Sequence, residues 1–417
     1  MNSTRFSRRD ALNLCVMGAG ALCPGMIRAE ALASCPVRAI TRGPKAHWFG
    51  YYDKLQFDPT QRYVLGMEMG FEHRSPTADD EVRIGMVDLA EGDKWIDLRS
   101  SHAWGWQQGC MLQWVPGSKE EIIWNDRQDG QFVSHVLNVK TGRKRTLSKA
   151  VYALSPDGTW GIGTEFARIQ NLRPGYGYPG VPDPQKNVRV PADSGLYRLD
   201  LASGHASQLF SLAEIASIPH LGKSVTDQFH WFNHLLVNTD GTRFTFLNRW
   251  RAERRDRQEM AARGFVTRMF TAAADGSDLF CIDESGETSH FIWRDPLHIT
   301  AFTKPPGQPF GYYVMKDHTK EFERIGEGRM LANGDQTYLQ KGNCRDWILC
   351  DTYPEGPDAT GEGLGLAPSA RINTHFPALR SDPMALSGAS RRKQPLFPRP
   401  PVRPNRSFRS LPQKANS

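Results

Sequence analysis

Between about Pro44 and Glu355 the chain reads as strand after strand, short runs of alternating apolar and polar residues closed by clusters of Pro, Asp, Asn and Gly. An alternation of period two puts successive side chains on opposite faces of an extended segment, so each run predicts a β-strand. The runs come in pairs. KLQFDPTQRYVLGMEM, MLQWVPGSKEEIIWND, VYALSPDGTWGIGTEF, HLLVNTDGTRFTFLNR, HFIWRDPLHITAFT and TYLQKGNCRDWILCDT each predict a hairpin. The Asp-Gly turns carry the strongest signal, because Gly takes a positive φ without a Cβ clash. Outer pairs follow, among them GMVDLAEGDKWIDL, HVLNVKTGRKRTL and GYYVMKDHTKEFERI. Four strands recurring roughly every 40 to 60 residues predict an all-β fold, a β-propeller whose blades bury their faces on one another.

Three stretches interrupt this pattern. Arg168 to Asp193 predicts a long loop inserted into the third blade, and the charged run from Arg251 to Arg268 a short amphipathic helix. After Glu355 the alternation stops, and residues 356–417 predict a Pro/Arg-rich, disordered tail. The propeller is expected over residues 43–355, which supply about five and a half blades, the last incomplete.

Charge changes the picture only through its distribution. The net charge is +7, but the stretch from Pro383 to Ser417 carries +8 and Met1 to Ala33 carries +2, which leaves a body of −3. A slightly acidic body gives no global field for nucleic acid. At the N-terminus, Ser7-Arg8-Arg9-Asp10-Ala11-Leu12 followed by the apolar run to Ile27 reads as a twin-arginine signal peptide over residues 1–33, with Ala31-Leu32-Ala33 as the cleavage site. It implies a periplasmic protein with no membrane span; Leu32-Ala33-Ser34-Cys35 offers a lipid anchor as the alternative. Among the seven cysteines there is no C-x-x-C pair, which argues against structural zinc, and Cys344 with Cys350 admits a disulfide. No G-x-S-x-G, Walker or dinucleotide-binding glycine loop is present.

The candidate chemistry follows from the repeat. In a propeller the first strand of each blade lines the central channel, and equivalent positions converge there. Six residues before each inner turn stand Tyr52, Cys110, Val151 (with Tyr152 beside it), His234, His290 and Asp335. These, with Gln107 and Gln108, are expected to face one another. His290, Asp335 and Asn333 offer mixed nitrogen and oxygen ligands for a divalent ion such as Mn2+. From the inserted loop, Arg173, Tyr176 and Tyr178 are placed to reach over the channel, where Arg forks a carboxylate and aromatic faces, Trp106 included, stack on sugar rings. The fourth hairpin carries His230 and His234 on one side of its approach and Arg249 and Arg251 at its exit.

His234 leading into Asn238-Thr-Asp-Gly-Thr-Arg-Phe, then His290 ahead of a hairpin, then a polar cluster before Thr337-Tyr338, resembles the oligogalacturonate lyase family. The blocks Gly50-Tyr-Tyr-Asp-Lys54, Trp106-Gln-Gln-Gly-Cys110 and Arg173-Pro-Gly-Tyr-Gly-Tyr178 look like a separate exported branch of it. The resemblance implies a seven-bladed propeller that binds Mn2+ and cleaves acidic, uronate-containing oligosaccharides such as those of pectin by β-elimination. It implies His234 as catalytic base, His290 as a metal histidine and Arg173 as the carboxylate-binding arginine. Tyr178 is the expected further proton-transfer group, and Tyr52, Trp106, Gln107, Gln108, Tyr176 and Arg249 are the expected substrate contacts. Asn333-Gly334-Asp335 stands where the family has a His-x-His pair. The alternative is a non-catalytic propeller of the cell envelope that binds glycans or proteins through the same channel.

Overall fold

The computed structural model describes residues 38–252, 264–328, 330, 333–338 and 347–350, and the backbone of Gly365–Pro368. All lie in one compact unit, Pro36–Ser417. The expected signal peptide, Cys35, Cys344 and most of the run read as an amphipathic helix lie outside the described residues. No described helix is long and apolar enough to cross a membrane.

The alternation gives six consecutive antiparallel sheets. The first holds β1 (Ala46–Trp48), β2 (Tyr63–Met69), β3 (Val82–Asp88) and β4 (Lys94–Ser101). The second holds β5 (Gln113–Trp114), β6 (Glu121–Gln128), β7 (Gln131–Asn138) and β8 (Lys144–Leu147). The third holds β9 (Ala153–Leu154), β10 (Trp160–Thr164), β11 (Gly195–Asp200) and β12 (Ala206–Ser211). The fourth holds β13 (Phe229–Val237), β14 (Arg243–Arg251), β15 (Val266–Ala273) and β16 (Phe280–Gly286). The fifth holds β17 (Ser289–Asp295), β18 (His298–Thr303), β19 (Gly311–Lys316) and β20 (Phe322–Ile325). The sixth has three strands among the described residues, β21 (Gln336–Tyr338), β22 (Trp347–Cys350) and β23 (Gly365–Pro368). No seventh sheet occurs among the described residues. In each sheet the strands are hydrogen-bonded in chain order, the meander expected of a propeller blade.

Aspartates set the inner turns. Asp58, Asp157, Asp240 and Asp295 each accept, at 2.9 to 3.0 Å, the backbone N–H two residues on, from Thr60, Thr159, Thr242 and Leu297. A carboxylate that closes its own turn fixes the register of the strands on either side. Apolar side chains between the sheets form the core, with Trp104, Trp114, Trp124 and Trp231 fully buried. Neighbouring sheets touch through inner strands: β13 meets β9, β10 and β17, and β17 meets β21.

The structure departs from the sequence reading in four places. Blade one's inner strand is β1, which pairs with β2 through Trp48↔Met67, while Phe57 forms only an isolated bridge to Val64. The residues between them, 49 to 55, leave the ladder. The inserted loop begins as helix α1 (Phe166–Leu172), which buries Phe166, Ala167, Ile169 and Leu172. Helix α2 (Leu212–Ser217) follows β12 and is held by a capping box: the Ser211 hydroxyl accepts from Glu214 N, and Glu214 Oε2 accepts from Ser211 N at 2.6 Å. Finally, within the expected tail, Gly365–Pro368 pairs antiparallel with Trp347–Cys350.

Candidate functional site

The two histidines occupy matching irregularities on adjacent inner strands. On β13 the register jumps between Asn233↔Leu247 and Leu236↔Thr245, so His234 and Leu235 oppose the single residue Phe246. On β17 it jumps between Ser289↔Phe302 and Phe291↔Ala301, so His290 is the extra residue. Both take positive φ, 52° at His234 and 35° at His290. A bulge re-aims a side chain out of the alternation, and non-glycine residues held in the left-handed region cluster at functional sites. Here the bulges bring the two imidazoles together, with ring centroids 6.3 Å apart. His230, expected to share their side, is separated from them: it stacks on Trp250 inside the protein, and its Nδ1 accepts from Asn248.

Opposite the histidines runs the excursion of blade one. Tyr51 comes within 2.6 Å of His234 Nε2 through its hydroxyl, and both side chains are buried. Tyr52 packs on Tyr51 and donates its hydroxyl to the Phe291 carbonyl. Lys54 and Asp53 form a buried ion pair of 2.6 Å. The excursion can lie this close because residue 50 is glycine: a Cβ there would sit 2.8 Å from the Gln107 carbonyl oxygen. Gln108 donates to the Tyr152 hydroxyl at 2.8 Å, and the Gln107 and Gln108 side-chain oxygens are buried without partners.

The electrostatics are lopsided. Arg249 is 3% exposed; its Nε donates to Thr267 Oγ1, while its Nη1 has no acceptor. Its guanidinium lies 4.9 Å from the centroid of the Phe265 ring, over which Arg173 also stands at 4.8 Å. The Arg173 guanidinium stands over the Tyr176 ring, 3.5 Å from its centroid. Burial, and then the Arg173 charge, push the Arg249 guanidinium below its ordinary range. Burial likewise drives His234 well below the usual imidazole range, helped by Arg249, His290, Arg173 and Lys54, so His234 is neutral at neutral pH. Burial, Asp53 and Asp335 push the Tyr52 phenol up.

His290, Asn333 and Asp335 come together as expected, but in different roles. His290 Nδ1 lies 2.7 Å from Asn333 Oδ1, so Asn333 orients the ring. His290 Nε2 then faces Asp335 Oδ1 at 3.6 Å. Two donors bonded to one ion at about 2.1 Å stand roughly 3 to 3.5 Å apart, so this pair fits a divalent ion as two of its ligands. Among the described residues no group of three His, Cys, Asp or Glu forms a fuller set.

The structure thus gathers Tyr52, Gln107, Gln108, Tyr152, Arg173, Tyr176, His234, Arg249, His290, Asn333 and Asp335. It places three expected residues elsewhere. Tyr178 stacks on Phe166 at 4.3 Å and accepts from Asn125 at 3.0 Å, which places it in the core. Trp106 packs on Trp48 and Trp104 and donates to the Arg74 carbonyl. Cys110 is a core thiol 3.8 Å from Met67 Sδ. Sequence reasoning missed Tyr51, Asp53 and Lys54, because counting back from a turn assumes an unbroken strand; the signal available was the polar block Tyr51–Lys54 itself.

No protein-family model matches the chain. No curated protein matches it either. Among solved structures it is similar to an oligogalacturonate lyase from Vibrio parahaemolyticus, with a TM-score of 0.50 and 13% identity over 79% of this chain and 78% of that one. It is also similar to the β-propeller domain of the Trilobed protease from Pyrococcus furiosus, at a TM-score of 0.42 and 10% identity over 77% and 82% of the two chains. TolB from Acinetobacter baumannii follows at 0.38 and 11%, with 71% of this chain and 59% of that one covered. The likeness to the lyase, with the six meandering sheets, gives the chain a β-propeller fold.

Proposed function

We propose that the channel binds an acidic oligosaccharide and cleaves it by β-elimination next to a uronate carboxylate. The observation that carries this reading is Arg249, a buried guanidinium with an open Nη1 that shares the Phe265 ring with a second arginine, Arg173. An uncompensated buried cation is costly, and an anionic ligand is its natural complement. A carboxylate on Arg249 and Arg173 would bring the carbon beside it toward His234, whose pKa Arg249 lowers. The barrier in β-elimination is the weak acidity of that C–H bond; fixed positive charge on the carboxylate stabilises the charge that develops as the proton leaves. His234 is neutral, and a substrate carboxylate bound on Arg249 and Arg173 would offset the cations that lower its pKa, so that it could take up a proton. His290 and Asp335 would hold a divalent ion, Mn2+ in this reading, which would add a Lewis acid on the carboxylate. Tyr176 and the Tyr52 ring supply stacking faces for the sugar. The reading places the reaction in the periplasm, on the strength of Arg8-Arg9.

The test is direct. Purified protein is mixed with polygalacturonate, alginate, glucuronan and ulvan digests in the presence of Mn2+, and the ultraviolet absorbance of the unsaturated product is followed. A rise on at least one substrate supports elimination. No rise on any of them overturns it, and binding without a rise leaves the glycan-binding propeller as the better reading.

A further inference from the structure

We infer that Tyr51, and not a histidine, is the catalytic residue that touches the substrate's proton, with His234 acting through it. The inference rests on the elimination reading. Its ground is the 2.6 Å contact between the Tyr51 hydroxyl and His234 Nε2, which occupies the imidazole nitrogen that a base would need to point at a substrate carbon. The Tyr51 ring stands edge-on to His234, with centroids 5.2 Å apart, and is pinned on its other side by Tyr52 at 4.6 Å. The phenol is therefore held in one orientation. The His234 ring also packs against Phe291 and His290, with centroids 5.7 and 6.3 Å away, so the imidazole is held as well. The φ of 52° at His234 exists only because the bulge imposes it, and its effect is to aim the ring at Tyr51.

The step balances. The phenol passes its proton to His234 Nε2 while the Tyr51 oxygen takes the hydrogen from the carbon beside the substrate carboxylate. The C–H electron pair becomes the new C=C bond. The bond from the next carbon to the glycosidic oxygen breaks with its pair, and that oxygen leaves with the proton that Tyr51 has just taken. His234 then returns its proton to Tyr51. One phenol serves as base and acid, which requires the proton and the leaving oxygen to lie on the same face of the sugar.

The experiment uses the full chain with the uronan on which the wild type is active. Tyr51→Phe keeps the ring and removes the proton carrier. The expected result is a kcat lowered by about a thousandfold, the scale of general acid–base catalysis, with KM within about threefold and an unchanged thermal midpoint. A Tyr51→Phe enzyme that keeps more than a tenth of wild-type kcat overturns the assignment and leaves elimination standing. A wild type inert on every uronan overturns elimination and the assignment together, so the two failures are distinguishable. If Tyr51→Phe does not fold, 3-fluorotyrosine at position 51 replaces it, since it keeps the shape and acidifies the phenol. A kcat shifted severalfold at constant KM then supports the role of Tyr51, and an unchanged kcat overturns it.

Discussion

At the residue scale the site is governed by what burial does to charge. Arg249 keeps an open Nη1 at 3% exposure. Arg249→Met is therefore expected to weaken binding of an acidic oligosaccharide at least tenfold, the worth of one charge-assisted hydrogen bond, without lowering the thermal midpoint, because it removes an uncompensated buried cation. Titration calorimetry and a melting curve measure the two halves. His230 obeys the same physics in a structural role. Burial, offset in part by its bond to the Val225 carbonyl, lowers it from 6.5 to about 4. A histidine with a depressed folded pKa contributes stability that is complete above the unfolded value and is lost as pH falls toward the folded one. Unfolding free energy is thus expected to drop by about 3 kcal/mol between pH 6.5 and pH 4 from this group. Urea denaturation across that range measures the slope, which His230→Asn should flatten.

At the element scale, short polar signals decide what hydrophobic alternation cannot. Helix α2 was legible in Ser211-x-x-Glu214, a capping box hidden by the strand pattern around it. Its C-terminal carbonyls are bound by Arg268, which donates to Ile215 and Ile218 at 2.7 Å and, through Nε, to Asn248 beside His230. Ser211→Ala should lower the unfolding free energy by about 1 kcal/mol, read from chemical denaturation. Strand β11 starts at a glycine for a different reason. A Cβ at Gly195 would lie 1.8 Å from the Phe210 carbonyl oxygen, so β11 and β12 could not pair there. Gly195→Ala is expected to cost on the order of 2 kcal/mol, in the range of overpacked sites, and a smaller loss would show that the outer strand moves freely.

At the scale of the whole molecule, blades stabilise one another edge to edge and face to face. Strand β23 covers the outer edge of β22 in the sixth sheet. A chain ended after Pro368 is expected to melt near the full-length value, whereas one ended after Cys350 leaves that edge unpaired and should melt lower and aggregate. Differential scanning calorimetry and light scattering on the two truncations check this. The candidate site depends on the same assembly: His234 comes from blade four, His290 from blade five and Tyr51 from blade one, and no single blade carries all of it.

The sequence by itself determined the local structure, since alternation, Asp-Gly and Asp-Pro turns and the four-strand period act over a few residues and survive in any context. It also brought most of the candidate site to notice, because equivalent positions in a repeat converge wherever the blades meet. What only the tertiary structure decided lies where a strand breaks its own period. The excursion that sends Tyr51 across to His234, the bulges that turn His234 and His290 inward, and the burial of Tyr178 against Phe166 each depend on contacts between residues far apart in the chain. The charge state of Arg249 and His234 belongs to the same class, since desolvation and the neighbouring cations exist only once the blades have packed.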